Sequence, residues 1–98
     1  MRYNLKRNEN FVQNRYGYCY YILPTKTRKN AAIYNLWVNG NVRRKGHAKE
    51  LLSLVIFSIR QTQYDGVIEI EAEPREDSID KEKLIKFYKS LGLVVLNE

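Results

Sequence analysis

Val38-Asn39-Gly40-Asn41-Val42-Arg43-Arg44-Lys45-Gly46-His47-Ala48 joins an apolar strand to a long amphipathic helix through a basic, glycine-containing turn. Such a junction can hold a phosphate. The first backbone N–H groups of a helix lack intrahelical partners and sit at the positive end of its dipole, so main chain alone attracts an anion there. Positive side chains at a helix start oppose the dipole, and a bound anion relieves that conflict. Gly46 allows close backbone approach and the small Ala48 leaves room. The plainer alternative is a solvated basic turn before an ordinary helix.

Working outward, the hydrophobic period changes in the manner of a mixed α/β chain. Tyr16 to Leu23 is aromatic and β-favouring, and Pro24 stops it. The polar Thr25 to Asn30 suits a hairpin connection into a second strand, Ala31 to Val38. An earlier strand is weakly signalled over Arg2 to Lys6. Past the basic turn, Ala48, Leu51, Leu52, Val55 and Ile59 recur at helical spacing and predict a helix from Gly46 to about Gln61. Tyr64-Asp65-Gly66 makes a turn. Val67 to Glu73 alternates as a strand, with Ile68, Ile70 and Ala72 on one face and Glu69, Glu71 and Glu73 on the other, wet one. A second helix capped near Ser78 or Asp80 carries the stripe Leu84, Phe87, Tyr88 and Leu91, ends at Gly92, and returns through Leu93 to Leu96 as a last strand. The expected order is β-β-α-β-α-β.

With 98 residues, one domain spanning 1–98 is expected. An apolar fraction of 44% and a charged fraction of 29% are those of a globular chain, which argues against disorder. Leu54 to Phe57, the longest apolar run of the helix, is far short of the roughly 20 residues a bilayer span needs, and the amino terminus lacks a signal-peptide pattern. A cytoplasmic location follows as the expectation, and the single Cys19 agrees with a reducing compartment. Seventeen basic against eleven acidic residues, a formal charge of +6, favour anionic partners. No metal is expected.

Two motifs in this order, Arg43-Arg44-Lys45-Gly46-His47-Ala48 before a helix and Phe87-Tyr88-Lys89-Ser90-Leu91-Gly92-Leu93 at the end of a later one, resemble the GNAT superfamily of acetyl-coenzyme A-dependent N-acetyltransferases. The resemblance covers roughly Ala31 to Leu93. It implies an α+β, truncated GNAT-like fold with a mostly antiparallel central sheet and two main helices. By that resemblance the amides of Arg44, Lys45, Gly46, His47, Ala48 and Lys49 hold the coenzyme pyrophosphate, and Arg43 and Arg44 add charge. Leu36 and Val38 pair their backbone with the pantetheine arm in a splay between strands, and an N–H near Leu36 or Trp37 polarises the thioester carbonyl. Tyr88 matches the general acid that protonates the departing thiolate; without the resemblance it reads as a core tyrosine beside Leu84 and Leu91.

The chain also departs from the family pattern. Members often place a glutamate base on the strand before the pyrophosphate loop, where this sequence has Tyr34-Asn35-Leu36-Trp37. Glu69, Glu71 and Glu73 are the substitutes. Glu73, nearest the strand's carboxyl end, is the choice, against the alternative that these acids only solvate a face. A histidine side chain can act as a base near neutral pH, but the place of His47 in the turn favours a phosphate or surface role. Family members also carry two helices between their first two strands, for which this sequence has no room, so the acceptor site should be open and suited to a protein side chain. The short carboxyl end implies that the final hairpin is missing or comes from a second subunit.

This compactness, with Glu73 to Ile79 leading into Leu84 to Tyr88, is similar to the miniature viral acetyltransferases that act as anti-CRISPR proteins by acetylating a lysine on an effector nuclease. It implies a host-directed enzyme acting on a protein lysine. Two rivals stand beside this reading. Tyr16, Tyr18 and Tyr20 on one strand face, with abundant Lys and Arg, could stack nucleic-acid bases. A coenzyme sensor or interaction protein would keep the fold without the chemistry. Exposed strand edges make a homodimer an open expectation.

Overall fold

The computed structural model describes residues 9–39, 46–72 and 80–97. Five strands form one sheet in sequential order: β1 (Glu9–Asn14), β2 (Gly17–Ile22), β3 (Ala31–Val38), β4 (Ile68–Ile70) and β5 (Val94–Val95). Helix α1 (His47–Gln61) connects β3 to β4, and α2 (Lys81–Ser90) connects β4 to β5. The first three strands pair antiparallel, and β3, β4 and β5 pair parallel. The antiparallel ladders are much the longer, so the sheet is antiparallel over most of its paired length, and the α+β architecture with two helices is as expected.

The order gains one strand over that expected. β1 is an edge strand whose sequence, Glu9-Asn10-Phe11-Val12-Gln13-Asn14, offers only two apolar residues. Its alternation is too weak to read alone; it exists because β2 supplies a full ladder from Glu9↔Ile22 to Asn14↔Gly17. The weak strand signal at Arg2 to Lys6 lies outside the described residues. Asn14 closes the hairpin, its Oδ1 accepting from the Tyr16 N–H at 2.8 Å and the Gly17 N–H at 3.2 Å. Tyr16 therefore belongs to the turn and not to the strand face of Tyr18 and Tyr20. Gly17 is required by a close approach: a Cβ there would lie 2.0 Å from the Trp37 carbonyl oxygen.

The stripe predicted for α1 is the core. Leu51, Leu52, Val55 and Ile59 are fully buried, and Leu52, Val55 and Ile59 share one cluster with Cys19, Ala31, Ile33, Ile68 and Ile70. Each large aliphatic side chain so buried contributes about 1.5–3 kcal/mol. Tyr88 of α2 joins the same cluster, so both helices pack on one side of the sheet. Helix α2 starts at Asp80, whose Oδ1 accepts from the Glu82 N–H at 3.1 Å. It ends in a Schellman motif at Gly92 (φ 84°), with Gly92 N–H donating to Lys89 C=O and Leu93 N–H to Tyr88 C=O. On the opposite sheet face a run of rings is in contact: Phe11 on Tyr20 (5.4 Å), Tyr20 beside Tyr34 (5.7 Å), and Tyr18 stacked on Trp37 (5.6 Å). Among the described residues no helix precedes β3. None of the described helices on either side is long and apolar enough to cross a membrane.

Candidate active site

The site begins where β3 and β4 part. They pair only over Ala31–Ile33 and Ile68–Ile70, and beyond these positions the two strands diverge. On its other edge β3 carries a bulge: Tyr20 opposes Tyr34 and Tyr18 opposes Trp37, so Cys19 faces both Asn35 and Leu36. Asn35 absorbs the extra residue with φ 52°, a left-handed conformation that Asn tolerates better than most residues. The bulge also reverses the strand's parity. Before it, Ala31 and Ile33 face the helices; after it, Leu36 packs on the core and Trp37 joins the aromatic face. Cys19, fully buried opposite the bulge, has its thiol pushed up to about 12 by burial.

A cleft of about 310 Å³ occupies this divergence. Its walls include Tyr34, Asn35 and Leu36 from β3, Glu71 just past β4, and Tyr88 from α2. Tyr88 is only 5% exposed, a core tyrosine that also borders the cleft. Glu69 and Glu71 both border the cleft but differ in their partners. Glu69 is held by Arg28 (3.0 Å) and by the Asn30 side-chain amide (2.9 Å), which ties both its oxygens to the β2–β3 connection. Glu71 is exposed and lines the cleft. Glu73 lies outside the described residues.

Gly46 is the N-cap of α1 with φ 86°, no side chain caps the helix, and the hydrogen-bond ladder opens with Glu50 N–H donating to Gly46 C=O at 3.1 Å. The amides of His47, Ala48 and Lys49 thus have no partner within the helix, which fits an anion such as a pyrophosphate. A Cβ at Gly46 would meet nothing within 4 Å, so its glycine serves the backbone angle. The His47 ring stacks on Tyr16 of the β1–β2 turn, centroids 3.5 Å apart, and its Nδ1 lies 3.6 Å from Glu50. That packing anchors the helix start to the hairpin and keeps His47 away from the cleft walls. Trp37 is 38% exposed and Val38 is buried. Arg43, Arg44 and Lys45 lie outside the described residues.

Leu36 and Tyr88 are therefore brought to one cleft, whereas Gly46, His47, Ala48 and Lys49 form the helix start. Asn35 and Asn97 were missed by sequence reasoning. An Asn inside an otherwise apolar strand is a bulge signal, but nothing in the sequence pairs Asn97 with a residue 25 positions earlier.

The sheet thus splays beside a bulge, and a glycine-capped helix start follows the bulged strand. Residues 8–93 match the model of the acetyltransferase (GNAT) family, and the chain belongs to that family. Acetyl transfer, with acetyl-CoA as the general donor, is the activity the family defines. No curated protein shows significant similarity to the chain.

Proposed function

We propose that this chain transfers the acetyl group of acetyl-CoA to a protein lysine in the cleft between β3 and β4. One observation carries the reading: the Asn35–Leu36 bulge, Glu71 and Tyr88 all border the same space. The coenzyme pyrophosphate sits at the amides of His47, Ala48 and Lys49, with Gly46 and the basic Arg43, Arg44 and Lys45 beside it, and the pantetheine arm runs along Leu36, Trp37 and Val38. The amine nitrogen bonds to the thioester carbonyl carbon and the C–S bond breaks. Of the two protons that leave the ammonium nitrogen, Glu71 takes one and water takes the other as the amide forms, and Tyr88 supplies a proton to the departing thiolate; exchange with water resets both side chains. A lysine of ordinary pKa, about 10.4, is mostly protonated at neutral pH, so a carboxylate at the cleft wall both attracts the ammonium and removes its proton. Glu71 takes this role because Glu69 is held by Arg28 and Asn30.

A protein acceptor is supported by the exposed aromatic surface that continues from Tyr34 of the cleft, which leaves room for a large partner. A host-directed role of the anti-CRISPR kind is the biological setting we infer from the resemblance of the Glu73 to Ile79 stretch leading into Leu84 to Tyr88. Tyr88→Phe tests the chemistry: acetyl-CoA affinity by calorimetry should hold while turnover falls about 100-fold. Equal turnover in the variant removes Tyr88 from the mechanism. Mapping acetyl-lysine after incubation with acetyl-CoA and host lysate tests the acceptor, and the absence of any enriched protein site counts against a protein substrate.

A further inference from the structure

We infer that Asn97 is a positioning residue: by completing the β4 ladder with its side chain, it fixes Glu71 at the cleft wall. This role rests on the acetyl-transfer reading above. The regular pairing of β4 stops at Ile70, whose carbonyl accepts from the Leu96 N–H at 2.9 Å. Past that point β3 has diverged and β5 has ended, so the backbone of Glu71 and Ala72 has no strand partner. Asn97 supplies one. Its Oδ1 accepts from the Ala72 N–H at 2.7 Å and its Nδ2 donates to the Ala72 C=O at 2.9 Å.

That pair of bonds reproduces what a further strand residue would offer, and only a side-chain amide holds donor and acceptor in one plane for it. Ala72 is thereby fixed at 1% exposure on the core side. Strand alternation then sends the Glu71 side chain to the opposite face, where it lines the cleft, and turns the Glu71 peptide groups toward the divergence from β3. Without the clamp, the segment is free to rotate or to close against β3. Either movement displaces the carboxylate, and a misplacement of about 1 Å can cost about 100-fold in rate.

The test compares wild type, Asn97→Ala, Asn97→Asp, Glu71→Gln and the Asn97→Ala/Glu71→Gln double variant, with acetyl-CoA as donor and poly-L-lysine as acceptor. The aspartate keeps the acceptor for Ala72 N–H but sets a second oxygen against Ala72 C=O, and it carries the comparison should the alanine variant fail to fold. Asn97→Ala should keep wild-type acetyl-CoA affinity and KM for acetyl-CoA while losing about 10- to 100-fold in kcat. The double variant should be no slower than Glu71→Gln alone, because the clamp acts only through that carboxylate. Wild-type rates in Asn97→Ala, or the same loss repeated in the Glu71→Gln background, overturn the positioning role while leaving acetyl transfer standing. A wild-type chain that neither binds acetyl-CoA nor acetylates poly-L-lysine overturns the functional reading, and this role with it.

Discussion

Cys19 is fully buried under α1 and directly opposite the β3 bulge. Burial disfavours its thiolate, which raises the folded-state pKa from 9.0 to about 12. A group whose pKa is raised by folding stabilises fully below its unfolded value and loses that contribution as the pH climbs through the folded one. Unfolding free energy should therefore decline between about pH 9 and pH 12 by up to about 1.4 kcal/mol per unit from this thiol, and Cys19→Ala should remove that part of the slope. Denaturant titrations of both proteins across this range measure it. Equal slopes would show that the thiolate is accommodated in the folded state. The same burial keeps Cys19 out of the chemistry, since a nucleophilic thiol needs exposure and a lowered pKa.

At the scale of one element, β3 carries most of what makes the site. Its first three residues close the sheet, its bulge reverses parity, and its last residues turn Leu36 inward and Trp37 outward. The left-handed Asn35 is the hinge of that reversal. Asn35→Gly should preserve stability, since glycine adopts the angle freely, whereas Asn35→Ile should cost about 1–3 kcal/mol because a β-branched residue is strained there. Chemical denaturation of the pair reads the difference directly. If the isoleucine variant matched wild type, the bulge would be relocating and could not be a fixed feature of the cleft. Helix α2 shows the opposite case, an element set by its own sequence: Asp80 caps it, Gly92 ends it, and Tyr88 follows from the apolar stripe.

For the whole molecule, two helices on one side leave a sheet face with a chain of aromatic contacts and a cleft reaching through the divergence of β3 and β4. In a chain of this size a ligand that braces both sides of the cleft has a large effect on stability. At about one hundred times its dissociation constant, acetyl-CoA should stabilise the fold by about 2.7 kcal/mol. That amount raises the Tm of a domain of this size by roughly 10 °C or more. Thermal scans with acetyl-CoA and with coenzyme A measure the shift, and a Tm unmoved by either contradicts donor binding by this fold. The formal charge of +6 keeps single-stranded nucleic acid as the comparison ligand for the open aromatic face. Salt-dependent stabilisation by an oligonucleotide, with none from acetyl-CoA, would favour that reading.

The periodic parts of this protein were legible from its sequence. The α1 stripe from Leu51 to Ile59, the alternation of Ile68, Ile70 and Ala72 against Glu69 and Glu71, and the caps of α2 are local patterns, fixed by side-chain spacing and backbone preference. The order of the two motifs carried the family, because Gly46 and the Phe87-to-Leu93 ending stand at fixed places in local elements. What the sequence could not yield depends on distant neighbours. The strand at Glu9–Asn14 exists through pairing with β2, and the difference between Glu69 and Glu71 is set by Arg28 and Asn30, about forty positions from Glu69. The pairing of Asn97 with Ala72 is equally non-local. Neighbouring acids on one strand look alike in sequence and both border the cleft; tertiary hydrogen bonds from Arg28 and Asn30 engage Glu69 alone of the two, since long-range contacts decide which polar group is already satisfied.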